Sequence, residues 1–322
     1  MNVLYVSSGY PMIYQYLDRN IEKTLRKIYD TCIPYQPGES LQRLQAILHD
    51  HDRRPHWALI LLGDHFPKQA SDLLRKYGVK QAIWLTEDPY YMNKTLQNIH
   101  LYDYVFTIDS GAYKAYLTAG FPYVYHLPLG TDPAIFTRQK VEFSYQSDVL
   151  LVGYPYPSRV QLVEFLLKNG TFPITVIGKQ WHNQLAKKFR RDDQLTIYDQ
   201  WMEPEMVAKF YNGAKIVLNP HRQVHFSYKR DVINETINNR TFDIAACGAF
   251  QLIEDLPGLR STFSEDEIIA YQDPSDCLAK IYFYLEKEEL REKIANHAQK
   301  KVYLAHTFEH RIDMMKDIIE LP

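Results

Sequence analysis

Short apolar runs alternate with longer amphipathic or polar segments along the first third of the chain. The apolar runs occupy residues 3–7, 58–62, 82–85 and 104–108. The first run is followed by Ser8-Gly9-Tyr10-Pro11 and then by the helical pattern of residues 13–28. This alternation predicts right-handed βαβ units around a parallel sheet that is buried on both faces.

The pattern stops at residues 137–146, which are polar and weakly patterned, and then begins again. A second parallel sheet is predicted by further apolar runs at residues 149–152, 174–177, 216–218 and 250–253. Beyond Pro274 the tail has a helical pattern, with helices predicted at residues 275–285, 288–304 and 307–319.

We therefore predict an α/β fold of two Rossmann-like, doubly wound parallel-sheet domains. The first is expected at residues 1–140 and the second at residues 141–305, with residues 306–322 as a C-terminal helix. Ligands of such sheets bind beyond the carboxyl ends of the strands, and in a paired arrangement those ends face each other across a cleft. Functional residues are expected at strand ends.

The composition is that of a globular protein without an overall basic field. The chain has 322 residues, 46% of them hydrophobic, and a net charge of −2, which argues against non-specific binding of nucleic acid. Its three cysteines lack the spacing of a zinc site or a disulfide framework. We find no signal-peptide pattern and no apolar run long enough for a transmembrane segment, so we expect a cytoplasmic protein. The sequence does not indicate an oligomeric state.

Residues 234–250 carry the most informative chemistry. They predict a loop entering a helix, with Asn239, Arg240, Thr241 and Asp243 at the helix start. Helix N–H groups and a guanidinium suit the phosphates of a nucleoside diphosphate, and a carboxylate suits the ribose hydroxyls. An ordinary capped helix that ends at Gly248 explains the same residues equally well.

A basic loop precedes this helix. Two of its polar residues, His221 and Arg222, follow an apolar strand, and Tyr228, Lys229 and Arg230 come a few positions later. Cations at a strand end suit a diphosphate leaving group, whose negative charge grows in the transition state. The alternative is a solvated basic loop, but the direct connection to the helix start favours the functional interpretation.

Candidate residues also follow the apolar runs of the first domain, namely Gly9, Tyr10, Asp64, His65, Glu87, Asp88 and Asp109. We select His65 and Asp88 as candidates for the catalytic base that would take the proton of an acceptor hydroxyl in an inverting transfer. Each is also explained as a capping or turn residue, and a retaining transfer needs no such base.

Several common motifs are absent from the sequence. It has no P-loop, no dinucleotide-binding glycine motif, no nucleophile elbow and no zinc-protease motif. None of the apolar runs ends in an Asp-x-Asp, the element with which metal-dependent single-domain glycosyltransferases hold Mn²⁺. We expect metal-independent chemistry and no cofactor besides a donor substrate.

Four ordered motifs resemble the carboxyl-terminal domain of the CgeB/YkvP-type spore maturation proteins. They are RTFDIAACGAF (240–250), LPGL (256–259), DEIIAYQDP (266–274) and HTFEHR (306–311). The resemblance covers about residues 148–312, with a fainter likeness at residues 84–90 and 127–136. These proteins are similar to group 1 glycosyltransferases. The resemblance therefore implies a GT-B fold, a C-terminal helix returning towards the first domain, and a role in spore-surface or cell-envelope glycosylation.

The resemblance also implies roles for particular residues. In group 1 enzymes one acid holds the donor ribose and another stands eight positions earlier, which corresponds here to Asp243 and Glu235. Aspartate replaces the usual glutamate at position 243, so its reach is one methylene shorter. By the same resemblance, Gly153 and Arg159 lie in the first strand-to-helix turn of the donor domain and are phosphate candidates.

Together these observations predict a glycosyltransferase that moves a sugar from a nucleotide-diphosphate sugar to a hydroxyl of a saccharide or protein acceptor. Two alternatives stay open. One is a sugar-nucleotide enzyme such as a 2-epimerase, which shares the architecture. The other is a non-catalytic spore-coat protein that keeps the fold, and the shortened acid at position 243 favours it.

Overall fold

A computed structural model describes residues 1–189, 192–222, 232 and 234–320. Their contacts divide the chain into two compact units. Of the described residues, the first unit contains 1–129, 232, 234–236 and 308–320, and the second contains 130–189, 192–222 and 237–307. The unit boundary thus falls between Leu129 and Gly130, earlier than the predicted domain boundary after residue 140. Residues just beyond this boundary are bonded within the second unit, where the Thr131 N–H donates to the carbonyl of His306 and the Gln139 N–H donates to Asn212 Oδ1.

The first unit contains a parallel sheet in the strand order β2-β1-β3-β4-β5-β6. Its strands are β1 (Asn2–Val6), β2 (Thr31–Tyr35), β3 (Trp57–Leu61), β4 (Lys80–Leu85), β5 (Tyr104–Thr107) and β6 (Val124–His126). The helices along this part of the chain are α1 (Ile13–Ile28), α2 (Leu41–His49), α3 (Lys68–Lys76), α4 (Met92–Asn98) and α5 (Ser110–Thr118).

The second unit contains another parallel sheet, in the strand order β12-β11-β10-β7-β8-β9. Its strands are β7 (Ser147–Val152), β8 (Ile174–Ile177), β9 (Leu195–Tyr198), β10 (Ala214–Asn219), β11 (Gln251–Glu254) and β12 (Ile269–Tyr271). The remaining helices are α6 (Pro157–Asn169), α7 (Trp181–Gln184), α8 (Pro204–Gly213), α9 (Arg240–Ala246), α10 (Leu259–Thr262), α11 (Pro274–Leu285), α12 (Glu288–Ala305) and α13 (Phe308–Glu320).

The apolar runs found in the sequence form the central strands of both sheets. Every residue of β3 is buried, as expected for a strand covered on both faces. The prediction of two doubly wound parallel sheets is therefore confirmed. The last helix, α13, belongs to the first unit, where the ring of Phe308 packs 6.3 Å from that of Tyr16 on α1.

Each sheet has a point at which the strand order reverses. In the first unit it lies between β1 and β3, and in the second between β7 and β10. Loops that follow two such strands run to opposite faces of the sheet and leave a crevice at the carboxyl ends, where open α/β sheets bind their ligands. The strand order thus predicts one ligand-binding crevice in each unit.

Among the described helices, none has both the length and the apolar composition required to cross a lipid bilayer.

Candidate functional site

Two arginine side chains meet over a glycine at the crevice of the second unit. Gly153 follows β7 with φ 143°, a backbone conformation that favours glycine. A Cβ at this position would lie 2.6 Å from Arg159 Nη1 and 3.2 Å from Arg240 Nη2. Only glycine leaves room for both guanidinium groups, so the structure brings these three predicted residues together.

Neutral oxygen atoms orient both arginines. The Arg159 side chain, which is 3% exposed, donates from Nη1 to the carbonyl of Tyr154 and from Nε and Nη2 to that of Pro220. The Arg240 Nη1 group donates to Asn219 Oδ1 at 3.0 Å. Uncharged acceptors fix the direction of a guanidinium without cancelling its charge, which suits the binding of a phosphate.

His221 lies next to this pair in an uncharged form. Its ring Nε2 accepts the N–H of Asn238 at 3.1 Å, so the proton of the neutral ring is on Nδ1. Burial, reinforced by Arg240 and Arg159, lowers the pKa of His221 to about 3. We predicted a cation at this position, whereas the structure places a neutral imidazole there.

The other basic candidates are only partly described. The guanidinium of Arg222 lies 5.0 Å from the centre of the Tyr156 ring, and that of Arg159 lies 5.1 Å from the same ring. Arg222 therefore takes part in a cation–π contact close to the arginine pair. The remaining candidates, Tyr228, Lys229 and Arg230, lie outside the described residues.

Asp243 is in the interior of the second unit. It is 5% exposed, and its Oδ1 accepts a hydrogen bond of 2.7 Å from the Thr131 hydroxyl. Burial raises its pKa to about 7, although Thr131 and Arg240 act in the opposite direction. Asn239 approaches the other carboxylate oxygen at 3.5 Å. In this arrangement Asp243 fixes α9 to residue 131, and its predicted contact with ribose stays a prediction.

The start of α9 is capped from within the chain. Asn238 Oδ1 accepts the N–H of Thr241 at 3.2 Å, and the Thr241 hydroxyl accepts from Asn219 Nδ2 at 2.9 Å. At the other end Gly248 has φ 66°, and its N–H donates to Ala245. These bonds are those of the capped helix that the sequence offered as an alternative. Arg240, rather than the backbone at the helix start, is what α9 presents to the crevice.

Glu235 belongs to the first unit. Its Oε2 accepts from Lys114 Nζ at 2.6 Å and from the Ser110 hydroxyl at 3.1 Å, and Lys114 lowers the pKa of the carboxyl group. The neighbouring backbone is held by Asp109, whose Oδ2 accepts the N–H groups of Glu235 and Thr236. The two acids that the resemblance pairs are thus in different units, and Glu235 takes part in a hydrogen-bond network of the first.

A cavity of about 180 Å³ lies at the crevice of the first unit. We call it the Tyr10 cavity. It is lined by Tyr10, Tyr14, Leu62, Asp64, Leu85, Glu87, Asp88, Tyr91, Lys94 and Thr95. The loops after β1, β3 and β4 supply most of these residues, so the cavity lies where the strand order reverses.

The two candidate bases differ in position. Asp88 lines the Tyr10 cavity although it is only 3% exposed, and it accepts hydrogen bonds from Thr107 and Tyr116. Burial is the main reason that its pKa rises to about 7. His65 is exposed, and its ring packs 4.5 Å from that of Tyr10 instead of lining the cavity.

Sequence reasoning identified Tyr10 but missed the two other tyrosines that line this cavity. Tyr14 on α1 donates from its hydroxyl to Glu87 at 2.6 Å, and Tyr91 precedes α4. It also missed Asp18, which accepts from the Ser8 N–H at 2.9 Å and fixes the loop after β1. No motif marks these residues. Their only signal was a tyrosine content of 25 residues, which we attributed to tyrosine-rich cores rather than to sugar-binding surfaces.

Within the described part of the chain, no group of three or more histidine, cysteine or acidic side chains has the geometry to hold a metal ion. Independence of metal stays a prediction.

Comparisons with known proteins are consistent with this geometry. A glycosyl transferase-like family model matches residues 159–317. The spore protein CgeB of Bacillus subtilis is 37% identical over 99% of this chain and 98% of its own length. Among solved structures, sucrose-phosphate synthase of Thermosynechococcus elongatus superposes with a TM-score of 0.69 at 11% identity, covering 99% of this chain and 98% of that one. HepE of Anabaena, in complex with UDP and glucose, gives a TM-score of 0.68 at 10% identity over 99% of both chains. The resemblance is confirmed, and the fold is of the GT-B type.

Proposed function

Because the chain belongs to the glycosyltransferase-like family of the spore protein CgeB, we propose that it transfers a sugar from a nucleotide-diphosphate sugar to a hydroxyl acceptor. The observation that carries the proposal is the meeting of Arg159 and Arg240 over Gly153 at the crevice of the second unit. HepE, of the same fold, is described with UDP and glucose.

In this proposal the two arginines bind the diphosphate of the donor. As the bond between the sugar and the diphosphate breaks, negative charge develops on the leaving oxygen. Guanidinium groups that are already oriented stabilise that charge without reorganising. The two arginines together supply the positive charge that a divalent metal ion supplies in metal-dependent enzymes. We therefore propose a metal-independent transferase. His221 serves as a neutral residue within the field of the arginines rather than as a third cation.

On the acceptor side, Asp88 is the better of the two predicted bases. It lines the Tyr10 cavity, and a carboxyl group with a pKa of about 7 is suited to accept a proton near neutral pH. The step applies to an inverting transfer: Asp88 takes the proton of the acceptor hydroxyl while the hydroxyl oxygen forms the new bond to the anomeric carbon. His65 does not line the cavity, so its position does not suit this role.

We further propose that the protein acts in the cytoplasm on material for the spore surface or cell envelope, since CgeB is named a spore protein. A first test is a thermal-shift screen of the wild-type protein with UDP-, GDP-, dTDP- and CMP-sugars. A ligand at 100 times its Kd stabilises the folded state by about 2.7 kcal/mol, which raises the melting temperature measurably. A screen in which no nucleotide sugar raises it would contradict the proposal.

A second measurement separates transfer from epimerisation. With the donor found in the screen, a transferase releases the nucleoside diphosphate and forms a glycoside when acceptor is added. An epimerase instead exchanges solvent deuterium into the sugar, and a non-catalytic coat protein binds the donor without doing either.

A further inference from the structure

We infer that Asn219 is a positioning residue of the donor site, which holds the guanidinium of Arg240 in its binding orientation before the nucleotide sugar arrives. This inference rests on the proposed function, because it explains how the arginine assigned to the diphosphate is kept in place. It follows from the burial of Asn219, from the pattern of its hydrogen bonds and from the place of Arg240 over Gly153.

Asn219 is a polar residue at the end of an apolar strand. It is the last residue of β10, where it follows three buried apolar residues, and it is itself 0% exposed. Burying an amide is unfavourable unless its polar atoms are hydrogen-bonded, and an apolar side chain would avoid this requirement. Strand β10 is one of the two strands between which the strand order of the second sheet reverses, so Asn219 lies at the crevice. Its polarity at this place indicates a role beyond packing.

The side-chain amide of Asn219 uses its full hydrogen-bonding capacity. Its Oδ1 accepts from Arg240 Nη1 at 3.0 Å and from Asn238 Nδ2 at 3.1 Å. Its Nδ2 donates to the Thr241 hydroxyl at 2.9 Å and to Gln251 Oε1 at 3.2 Å. An amide oxygen has two lone pairs and an amide nitrogen has two hydrogens, so these bonds account for all of them.

The chemistry of the partners allows this amide only one orientation. A guanidinium only donates, so the atom of Asn219 that faces Arg240 has to be the oxygen. Gln251 is fixed in the same way, because its Nε2 donates to the backbone carbonyl of Thr241 at 3.0 Å and its Oε1 is turned towards Asn219. Rotating the Asn219 amide by half a turn would place donor against donor at Arg240 and acceptor against acceptor at Gln251. The acceptor that Arg240 meets is therefore fixed.

Asn238 occupies the second lone pair of Asn219 Oδ1. It is held by two further bonds, since its N–H donates to His221 Nε2 at 3.1 Å and its Oδ1 accepts the Thr241 N–H at 3.2 Å. The neutral form of His221 is part of this arrangement, because a protonated imidazole has no lone pair with which to accept an N–H. One lone pair of Asn219 Oδ1 is then left for Arg240, and it defines the place of Arg240 Nη1.

This network sets the guanidinium over Gly153. While Nη1 of Arg240 is held by Asn219, its Nη2 lies 3.2 Å from the place of a Cβ on Gly153, where Arg159 Nη1 also lies. A free arginine side chain samples many rotamers, and ordering it on binding lowers the affinity for a ligand. The ordering has taken place within the folded protein, so the ligand meets a guanidinium that is already oriented.

A double-mutant cycle in the full-length protein tests this role. The probe is UDP, GDP or dTDP, whichever corresponds to the nucleotide sugar found in the thermal-shift screen, and its Kd is measured by calorimetric titration. We expect Asn219→Ala to raise the Kd by at least about threefold, because the arginine then has to be ordered on binding. In protein that already carries Arg240→Ala, the same substitution should change the Kd by less than about twofold, because the group through which Asn219 acts is gone.

Asn212→Ala serves as the matched control. Asn212 precedes β10 at the opposite end of the strand, and its side chain also both accepts and donates, accepting from the Gln139 N–H and donating to the carbonyls of Thr137 and Ala208. Its removal should lower the melting temperature and leave the Kd unchanged. A loss of affinity that comes only from a less stable second unit would appear in this variant too.

A second measurement does not depend on whether Asn219→Ala folds. In protein labelled with nitrogen-15 arginine, a guanidinium held by hydrogen bonds rotates slowly and gives separate NMR signals for its Nη groups, whereas a freely rotating one gives an averaged signal. We expect separate signals for Arg240 in the wild-type protein without ligand. They are assigned by their absence from the spectrum of Arg240→Ala.

Three results would overturn the inference. They are an effect of Asn219→Ala below about threefold, an effect of about twofold or more in the Arg240→Ala background, and an averaged Arg240 signal in the unliganded wild type. If Arg240→Ala weakens binding and one of these results is found, the role of Asn219 is wrong and the donor site stands. If wild-type protein binds none of the nucleoside diphosphates, the proposed function fails, and this inference fails with it.

Discussion

Replacing Arg240 by alanine is the most direct test of the donor site. In the structure its guanidinium shares the space over Gly153 with that of Arg159. Arg240→Ala should cost the folded protein little stability. Asn219 Oδ1, which accepts from Arg240, also accepts from Asn238 Nδ2 at 3.1 Å. No buried acceptor is left without a donor. Arg240→Ala should therefore weaken ligand binding.

The expected magnitude follows from the type of contact. A hydrogen bond to a charged group contributes about 1.5–3 kcal/mol, and about 1.4 kcal/mol corresponds to a factor of ten in Kd. Arg240→Ala should raise the Kd for the nucleotide sugar found in the screen by about 10- to 150-fold. Asp243→Asn should raise it less, because Asp243 is buried against Thr131 and has a short side chain.

Calorimetric titration with the nucleotide sugar found in the screen, at fixed low salt, measures these changes. Arg75→Ala, on α3 of the first unit, serves as the matched control, because it removes an exposed arginine and should leave the Kd unchanged. Thermal melts of all three variants establish that they are folded. A Kd in Arg240→Ala within twofold of the wild-type value would refute the assignment of this guanidinium to the diphosphate.

Three other predictions follow from the same geometry. Asp88→Asn should lower turnover by about 10²–10⁴ and leave the donor Kd unchanged if the transfer inverts; wild-type turnover in an enzyme whose product is inverted would exclude Asp88 as the base. Asp243 has a pKa of about 7 when folded and its ordinary, lower value when unfolded, so the folded state holds the extra proton and the free energy of unfolding falls as pH rises between these values. Asp243→Asn should make that decline shallower in urea titrations from about pH 4 to pH 7. Full turnover is expected in EDTA, and a loss that Mn²⁺ restores would contradict the metal-independent proposal.

Sequence reasoning found the inner strands of both sheets and missed the outer ones. The strands without a predicted counterpart are β2, β6, β9 and β12, and these are the four edge strands. An edge strand is partly exposed and need not be uniformly apolar: β2 contains Pro34, which an edge tolerates, and no residue of β9 is fully buried. A search for continuous apolar runs detects burial on both faces, which edge strands lack.

The candidate site was predictable to the extent that it depends on topology. Gly153 and Arg159 were identified through the resemblance and Arg240 from its place at the start of a predicted helix, and the structure brings all three together. The burial and the hydrogen-bond partners of the side chains were not predictable. Asp243 is buried because Thr131, over a hundred positions earlier, donates to it, and Glu235 is engaged by Lys114. Neither partner is near in sequence, and no spacing rule connects them.

Hydrogen bonds between charged and neutral groups are found at both crevices. In the second unit, arginines are oriented by carbonyl and amide oxygens, and in the first, Glu87 is oriented by the hydroxyl of Tyr14. Neutral dipoles fix the direction of a charged group while its field stays directed at the ligand, which is the electrostatic preorganisation that catalysis requires. An orientation that exists before the ligand arrives does not have to be created on binding, and this is the physical reason for assigning Arg159 and Arg240 to the diphosphate.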